Sequence, residues 1–481
     1  MSAYRELALF INGEWEVSTS GSLLPVVNPA TGEAIGSLPV ATIEQIDSAV
    51  KSASRAFAEW RRAPATERRN VLRRAAEILR EKAETVAYRL TLEQGKPVAQ
   101  ARLEVTRVCD IFEYYAEEAT RLCERSFPAR PDGIQHQLVP EPVGVIAAFT
   151  AWNFPLVLAG RKLAMALAAG CSVVLKASEE TPASAMALVE ALDDAGLPKG
   201  VVNLLFGRPA EIAERLIGAP EVRKISLTGS IRVGKQIAEN AGRYLKPCSL
   251  ELGGHCPVLI FPDVDIEDTV DKLVSAKFAN AGQICTSPSR FMIHADIYDR
   301  FVDVFLRRTE QLQLGNGIDC VTQVGPLANE RGLRSIEEYV DSARRAGARI
   351  LCGGAKADRP GYFYRPTVMV DLPSDARVMQ EEYFGPLAPM VRFKHEDEAV
   401  KLANSLPYGL AAYVFTRDEV RSKRLVQSIE AGGVFINTAV TLSEYTPFCG
   451  VKESGYGYEG GREGLETFVH YKLVNRVTCD G

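Results

Sequence analysis

Histidine is scarce in this chain, five in 481 residues, and none lies in the stretch NAGQICTSPSR from Asn280 to Arg290. A cysteine there has no nearby imidazole to serve as its base. The ten cysteines, at 109, 123, 171, 248, 256, 285, 320, 352, 449 and 479, form no CxxC pair. So dispersed a set in so long a chain is not a disulfide framework and fits a reducing, cytoplasmic setting. There is no cationic excess either: the formal net charge is -5, which lacks the basic footprint of a nucleic-acid binder. The longest apolar stretch, LAMALAAGCSVVL at 163–175, falls short of the ~18–20 residues of a membrane span and contains Gly and Ser. The first residues, MSAYRELALFINGEW, have no apolar core followed by a small-residue cleavage site, so no signal peptide is expected and Asn12-Gly13 reads as a hairpin turn.

What remains is a globular composition, 46% hydrophobic and 24% charged, long enough for two large cores. The first 125 residues carry amphipathic helical patterns such as TIEQIDSAVKSASRAFAEW, with apolar residues three and four apart. From Val143 the pattern changes to short buried strands, VGVIAAF, SVVLKAS, VVNLLFG, KISLTGS and CSLELGG, separated by helices that start near Thr181, Pro209 and Ser230. Repeated strand-helix-strand units imply a parallel sheet. Thr181-Pro182 reads as a helix start with threonine as the cap. After PVLIF a second α/β series follows, through ARILCGG, YFYRPTVMV, GLAAYVFT and GGVFIN. SFPARPDGIQHQLVPEP interrupts the helices, and FVHYKLVNRVT near the end looks like a lone strand; two orphan strands of this kind suggest an arm that reaches a neighbouring subunit.

Several motifs carry chemistry, and each also has a plain structural reading. TGSIRVGK (228–235) follows a strand and opens a helix, a place where a diphosphate meets free amides and the positive end of the helix dipole; it also reads as a bare tight turn. Its P-loop likeness fails at Gln236, where a hydroxyl would hold magnesium. ELGG (251–254) ends a strand with a carboxylate beside two glycines, and EEYFGP (381–386) sets an aromatic between acids and a Gly-Pro turn; either is a ligand contact or a surface carboxylate. AWNFP (151–155) lies just past a strand, where its amide is an oxyanion donor or an Asx turn. Cys285 follows an apparent helix and precedes small polar residues, as a thiol held in a loop at a cleft would.

AWNFP, KASE (176–179), TGSIRVG, LELGG, NAGQIC, EEYFGP and PFCGVKESGYGYEGG, in this order, resemble the signature set of the aldehyde dehydrogenase superfamily, from INGEW to the final strand. The glutamate of ELGG points to the hydrolytic, non-acylating branch; Ala151 stands where the family usually has proline. The resemblance implies an α/β fold: a Rossmann-like parallel-sheet cofactor domain (1–125 and 142–253), a second α/β catalytic domain (254–467) and a small β oligomerisation arm (126–141 and 468–481). It implies that Cys285 attacks the aldehyde, that Asn153 and the Cys285 amide hold the oxyanion, and that Glu251 activates the water that releases the acid. It places a dinucleotide against Trp152, Lys176, Glu179, Gly229, Ser230, Val233, Leu252, Glu382 and Phe384, and the aldehyde against Phe154, Arg161 and Phe448. No metal is implied.

Two readings of another class compete. A thiol hydrolase or acyltransferase needs a histidine brought to Cys285; His255 and His294 are nearest in sequence, and His294 sits in the strand-like run FMIHA. A scaffold without chemistry is disfavoured by intact Cys285, Glu251 and Asn153. Arg161 points to a carboxylated semialdehyde, since an arginine there binds a carboxylate bidentately. Family members that oxidise succinate semialdehyde carry a further arginine where this chain has Ala279, and a serine where Leu442 aligns; an aromatic or aliphatic aldehyde is the alternative. Glu179 favours NAD by meeting both ribose hydroxyls, with NADP still usable, and the arm implies a homodimer or homotetramer.

Overall fold

A computed structural model describes residues 4–17, 21–128, 134–439 and 443–477. Asn12 and Gly13 both take positive φ, 54° and 78°, the backbone that a tight hairpin needs. They join β1 (Leu9–Ile11) to β2 (Glu14–Glu16), and β3 (Leu23–Asn28) pairs with β4 (Glu33–Pro39) as a separate ribbon. The amphipathic patterns become α1 (Ile43–Trp60), α2 (Ala65–Glu81), α3 (Ala83–Gln94) and α4 (Val98–Ala119). After β5 (Arg125–Ser126) and β6 (Ile134–Pro142) comes the alternating series β7 (Val145–Phe149), α5 (Pro155–Ala169), β8 (Ser172–Lys176), α6 (Pro182–Asp194), β9 (Val202–Leu205), α7 (Pro209–Gly218), β10 (Val222–Thr228), α8 (Ile231–Arg243) and β11 (Cys248–Glu251).

The second series is β12 (Cys256–Ile260), α9 (Ile266–Phe278), β13 (Pro288–His294), β14 (Arg349–Cys352), β15 (Thr367–Val370), β16 (Leu387–Phe393), β17 (Ala411–Phe415) and β18 (Gly433–Ile436); β19 (Gly455–Tyr456) and β20 (Val469–Val477) follow. One sheet has the order β19-β11-β10-β7-β8-β9-β1-β2, parallel from β11 to β9 and antiparallel at its margins. A second runs β14-β15-β16-β13-β12-β17-β18, parallel except at β14. Every residue of β7, β8 and β9 is buried, as expected of a parallel sheet covered on both faces, and their unbroken apolar runs follow from that. Among the described residues, no helix is long and apolar enough to cross a membrane.

Three sequence expectations differ from the structure. The strands read as orphans pair with each other: β20 runs antiparallel to β6 from Val469↔Pro142 to Val477↔Ile134, and β5 adds a third strand. Sequence patterns cannot reveal a partner more than three hundred residues away. Residues 129–133 and 478–481 of the expected arm lie outside the described residues, as does Leu442. The range 254–467 is not wholly built on the second sheet, because β19 pairs with β11 and Leu465 packs in the core of the first. Thr181 precedes α6 without capping it; its hydroxyl is buried with no hydrogen-bond partner.

The cap of α6 comes instead from Glu93 on α3. Its carboxylate accepts from the Ala183 and Ser184 amides, both at 2.9 Å, and from the Ser184 and Tyr4 hydroxyls, both at 2.5 Å. A negative charge suits the helix N-terminus, yet burial still pushes Glu93 up to about 7 against those four donors. Glu93→Ala would orphan all four, and should cost about 3 kcal/mol of stability, read as a lower urea midpoint with native far-UV circular dichroism.

Candidate active site

In the first sheet the chain steps outward from β7 to β8 and β9, then returns to place β10 on the other side of β7. That reversal opens a crevice at the carboxyl ends of β7 and β10, which are level at Phe149↔Leu227. The loop after β7 delivers Trp152, Asn153 and Phe154 to it, and the turn after β10 delivers Gly229 and Ser230. Glu251, the last residue of β11, pairs in register with Thr228. Facing this edge is the amino end of the second sheet, where Cys285 lies just before β13 and Glu382 and Phe384 just before β16.

The cysteine loop is shaped by an abrupt turn after α9: Asn280 and Ala281 hold left-handed φ of 48° and 54°. Such backbone is uncommon outside glycine and persists only where surroundings determine it. At Gly253 a Cβ would fall 2.1 Å from Glu382 Oε2, so glycine there lets this carboxylate lie against the chain, where its Oε1 accepts from the Gly254 amide at 3.0 Å.

These elements enclose a cavity of about 1060 Å³. It brings together Trp152, Asn153, Phe154, Arg161, Gly229, Ser230, Glu251, Leu252, Cys285, Glu382, Phe384 and Phe448. Trp152 and Phe384 meet edge to face, with ring centres 5.7 Å apart. Lys176, Glu179 and Val233 are not in its lining. Lys176 Nζ pairs with the Glu179 carboxylate at 2.7 Å, and the Gly207 amide also donates to it at 3.2 Å. The Val233 amide donates to Ser230 Oγ at 3.4 Å, which caps α8.

Glu251 is 5% exposed, and neither carboxylate oxygen has a hydrogen-bond partner of normal geometry; the thiol of Cys285 faces it. Burial, reinforced by the nearby Glu459 carboxylate, pushes Glu251 up to about 7, while Cys285, Lys162 and Arg161 oppose the shift. Burial and then the Glu251 charge push the half-buried Cys285 thiol well above its ordinary value. Asn153 Nδ2 donates one hydrogen to Gln283 O at 3.2 Å, which leaves its second free. Arg161 is buried on α5, and its Nε has no partner.

Sequence reasoning missed the ion pair behind Glu251: Lys162 Nζ bonds Glu459 Oε1, with both side chains buried. The available signal was a second cation beside Arg161 in an otherwise apolar helix. It also missed Lys96 and Glu104, each 1% exposed, and Asn280. Among the described residues, no histidine lines the cavity. His255 is buried, with Nδ1 3.0 Å from Ser289 Oγ and its ring edge-on to Tyr383 and Tyr408; burial, then Arg290 and Lys277, push its pKa well down. His294 is a strand residue, the last of β13. A relay of cysteine and histidine thus has no base at this thiol.

The residues fit a dinucleotide. The cavity runs from Cys285 to Ser230 at the start of α8, where the first two amides, Ile231 and Arg232, have no intrahelical acceptor.

The model of the aldehyde dehydrogenase family matches residues 15–474. The 4-(hydroxymethyl)benzenesulfonate dehydrogenase TsaD1 of Comamonas testosteroni is 45% identical over 474 residues, covering 98% of this chain and 99% of the relative. Succinate-semialdehyde dehydrogenase [NADP(+)] GabD of Escherichia coli (strain K12) is 40% identical over 471 residues, with 98% of each chain covered. The crystal structure of succinate-semialdehyde dehydrogenase from Burkholderia pseudomallei superposes with a TM-score of 0.97 at 37% identity, covering 99% of this chain and 98% of that one. The fold, the cavity and these likenesses agree: the chain belongs to the aldehyde dehydrogenase family and is an enzyme that oxidises aldehydes with NAD or NADP.

Proposed function

We propose that this enzyme oxidises an aldehyde bearing an anionic group, with Cys285 as nucleophile, Asn153 as oxyanion donor and Glu251 as base. The observation that carries the reading is the buried Glu251 carboxylate, unpartnered on both oxygens and facing the one thiol in the cavity. Glu251 takes the thiol proton as Cys285 Sγ bonds to the carbonyl carbon, and the free hydrogen of Asn153 Nδ2 meets the oxyanion together with the Cys285 amide. Bound NAD supplies the acceptor for the hydride that the thiohemiacetal carbon loses as it becomes a thioester. Glu251 passes that proton to solvent and then deprotonates a water that adds to the thioester carbon; collapse expels the Cys285 thiolate, which takes the proton back from Glu251 as the acid leaves. On this reading Trp152, Gly229, Ser230, Leu252, Glu382 and Phe384, which line the cavity, meet the cofactor, and Lys176, Glu179 and Val233 meet its far end outside the cavity lining.

Only ionised Glu251 works as the base, so its fraction rises with pH through the value of about 7. Hydrolysis of the acyl-enzyme should therefore rise with a midpoint near pH 7. Glu251→Gln should slow the burst of reduced cofactor, because the thiol loses its base, and should make acid release slower still and pH-independent; Cys285→Ala should give no burst. Rapid-mixing absorbance against pH measures both; an unchanged profile in Glu251→Gln would remove Glu251 from this role.

For the substrate, Arg161 is a buried guanidinium aimed at the cavity with an unpartnered Nε, while Phe154 and Phe448 supply apolar wall. The two relatives cited carry a sulfonate and a carboxylate in their names. Succinate semialdehyde and 4-sulfobenzaldehyde should both exceed hexanal and benzaldehyde in kcat/KM. Arg161→Met should lower the charged substrates about 50-fold, the ~2.3 kcal/mol of charge-assisted hydrogen bonds, and leave hexanal nearly unchanged. A wild-type preference for hexanal would sink the assignment.

NAD is the preferred cofactor, because a 2′-phosphate would meet the Glu179 carboxylate. Lys176 already neutralises much of that charge, so the preference should be modest, about tenfold in kcat/KM or ~1.4 kcal/mol, and should shrink in Glu179→Ser. The exposed Leu473 and Val477 on β20, at 58% and 62%, support assembly as a homodimer or homotetramer through the three-stranded arm. All nine described cysteines are free thiols, which supports a cytoplasmic location.

A further inference from the structure

The Asn153 loop has no local means of holding its shape. Phe154, at the N-cap of α5, makes no side-chain cap, and Pro155 follows it. The start of α5 is held from α4: Glu104 Oε1 accepts from the Leu156 amide at 2.9 Å and the Val157 amide at 3.3 Å. Glu104 Oε2 pairs with Lys96 Nζ at 2.5 Å, and both side chains are 1% exposed. Lys96 Nζ also donates to the carbonyl oxygen of Asn153 at 2.8 Å and lies 4.0 Å from the centre of the Phe154 ring. A second donor reaches the same carbonyl from the cysteine loop, Asn280 Nδ2 at 3.1 Å. Asn280 is oriented in turn by Gln94 Nε2, 2.9 Å from its Oδ1, and Gln94 Oε1 accepts from the Lys96 amide at 2.9 Å.

A fully buried ammonium and carboxylate pair is an expensive way to pin a turn to a helix, since apolar residues of similar volume serve as well or better. What apolar residues cannot do is donate to a carbonyl or accept from helix amides. We propose that the Lys96–Glu104 pair and Asn280 are positioning residues that fix the Asn153 amide at its distance from Cys285. Lys96 and Asn280 do not line the cavity and Glu104 only borders it at 1% exposure; all three act through Asn153, and the inference rests on Asn153 being the oxyanion donor.

The test is a mutant cycle read by single-turnover hydride transfer, with NAD and succinate semialdehyde saturating. Asn153→Ala alone comes first: its expected loss is about 10²–10³-fold, and full activity there would refute the oxyanion role itself rather than the positioning. Lys96→Met/Glu104→Gln removes both charges and should slow the step about 10- to 100-fold, as small misplacements of reacting groups do, while NAD affinity stays near that of the parent. In the Asn153→Ala background the same pair of changes should cost less than about threefold, because the group being positioned is gone. Should the double variant fail to fold, Asn280→Gly keeps the left-handed backbone while removing the side chain, and the same cycle applies to it. Losses that multiply in full with Asn153→Ala, or hydride transfer at the parental rate, would overturn the proposal.

Discussion

The carbonyl oxygen of Asn153 is where the two halves of the molecule are tied together. Lys96 reaches it from the turn between α3 and α4, and Asn280 from the turn between α9 and the cysteine. The first sheet presents its carboxyl edge and the second its amino edge, so no backbone ladder joins them at the cavity. Their relative placement rests on isolated bonds that cross the gap: Asn153 Nδ2 to the Gln283 carbonyl, Gln94 Nε2 to Asn280 Oδ1, and the Val98 amide to the Gly317 carbonyl. Each is a single directional bond, the first two in a buried setting, where an unmade bond is costly and alternative geometries are few.

The electrostatics of the cavity follow from the same enclosure. Two carboxylates, Glu251 and Glu382, share it with a thiol, and burial pushes all three toward their neutral forms. The cations that offset this are held back from the reacting atoms. Lys162 is committed to Glu459, and Lys96 to Glu104. Arg161 lines the cavity as a buried guanidinium whose Nε has no partner. This distribution leaves the Glu251 carboxylate and the Cys285 thiol facing each other without a paired cation, while Arg161 keeps one wall attractive to an anion.

Much of this was legible in the sequence because the informative groups sit at strand ends in short contiguous motifs. AWNFP, ELGG and NAGQIC each place their functional side chain within a few residues of a strand or helix end that periodicity locates, and the cavity gathers all three. What could not be read is what depends on distant partners. Thr181 has the composition of a cap, yet the α6 amides turn to Glu93, some ninety positions earlier. Strands β6 and β20 look solitary because each finds its ladder in the other. Lys96, Glu104 and Lys162 are charges inside amphipathic or apolar helices, where helical spacing says which face they occupy and nothing about whether that face is wet.

The bare carboxylate of Glu251 has a consequence for the robustness of the enzyme. A buried acid with no donor but the facing thiol is a standing load on the folded state, and under the proposed mechanism it is kept because a group that serves both thiol and water cannot be locked to a third partner. An ordinary core would have supplied those donors, and selection for endurance alone would do so. Under that mechanism, a residue turnover depends on is also one that a thermostability screen would select against.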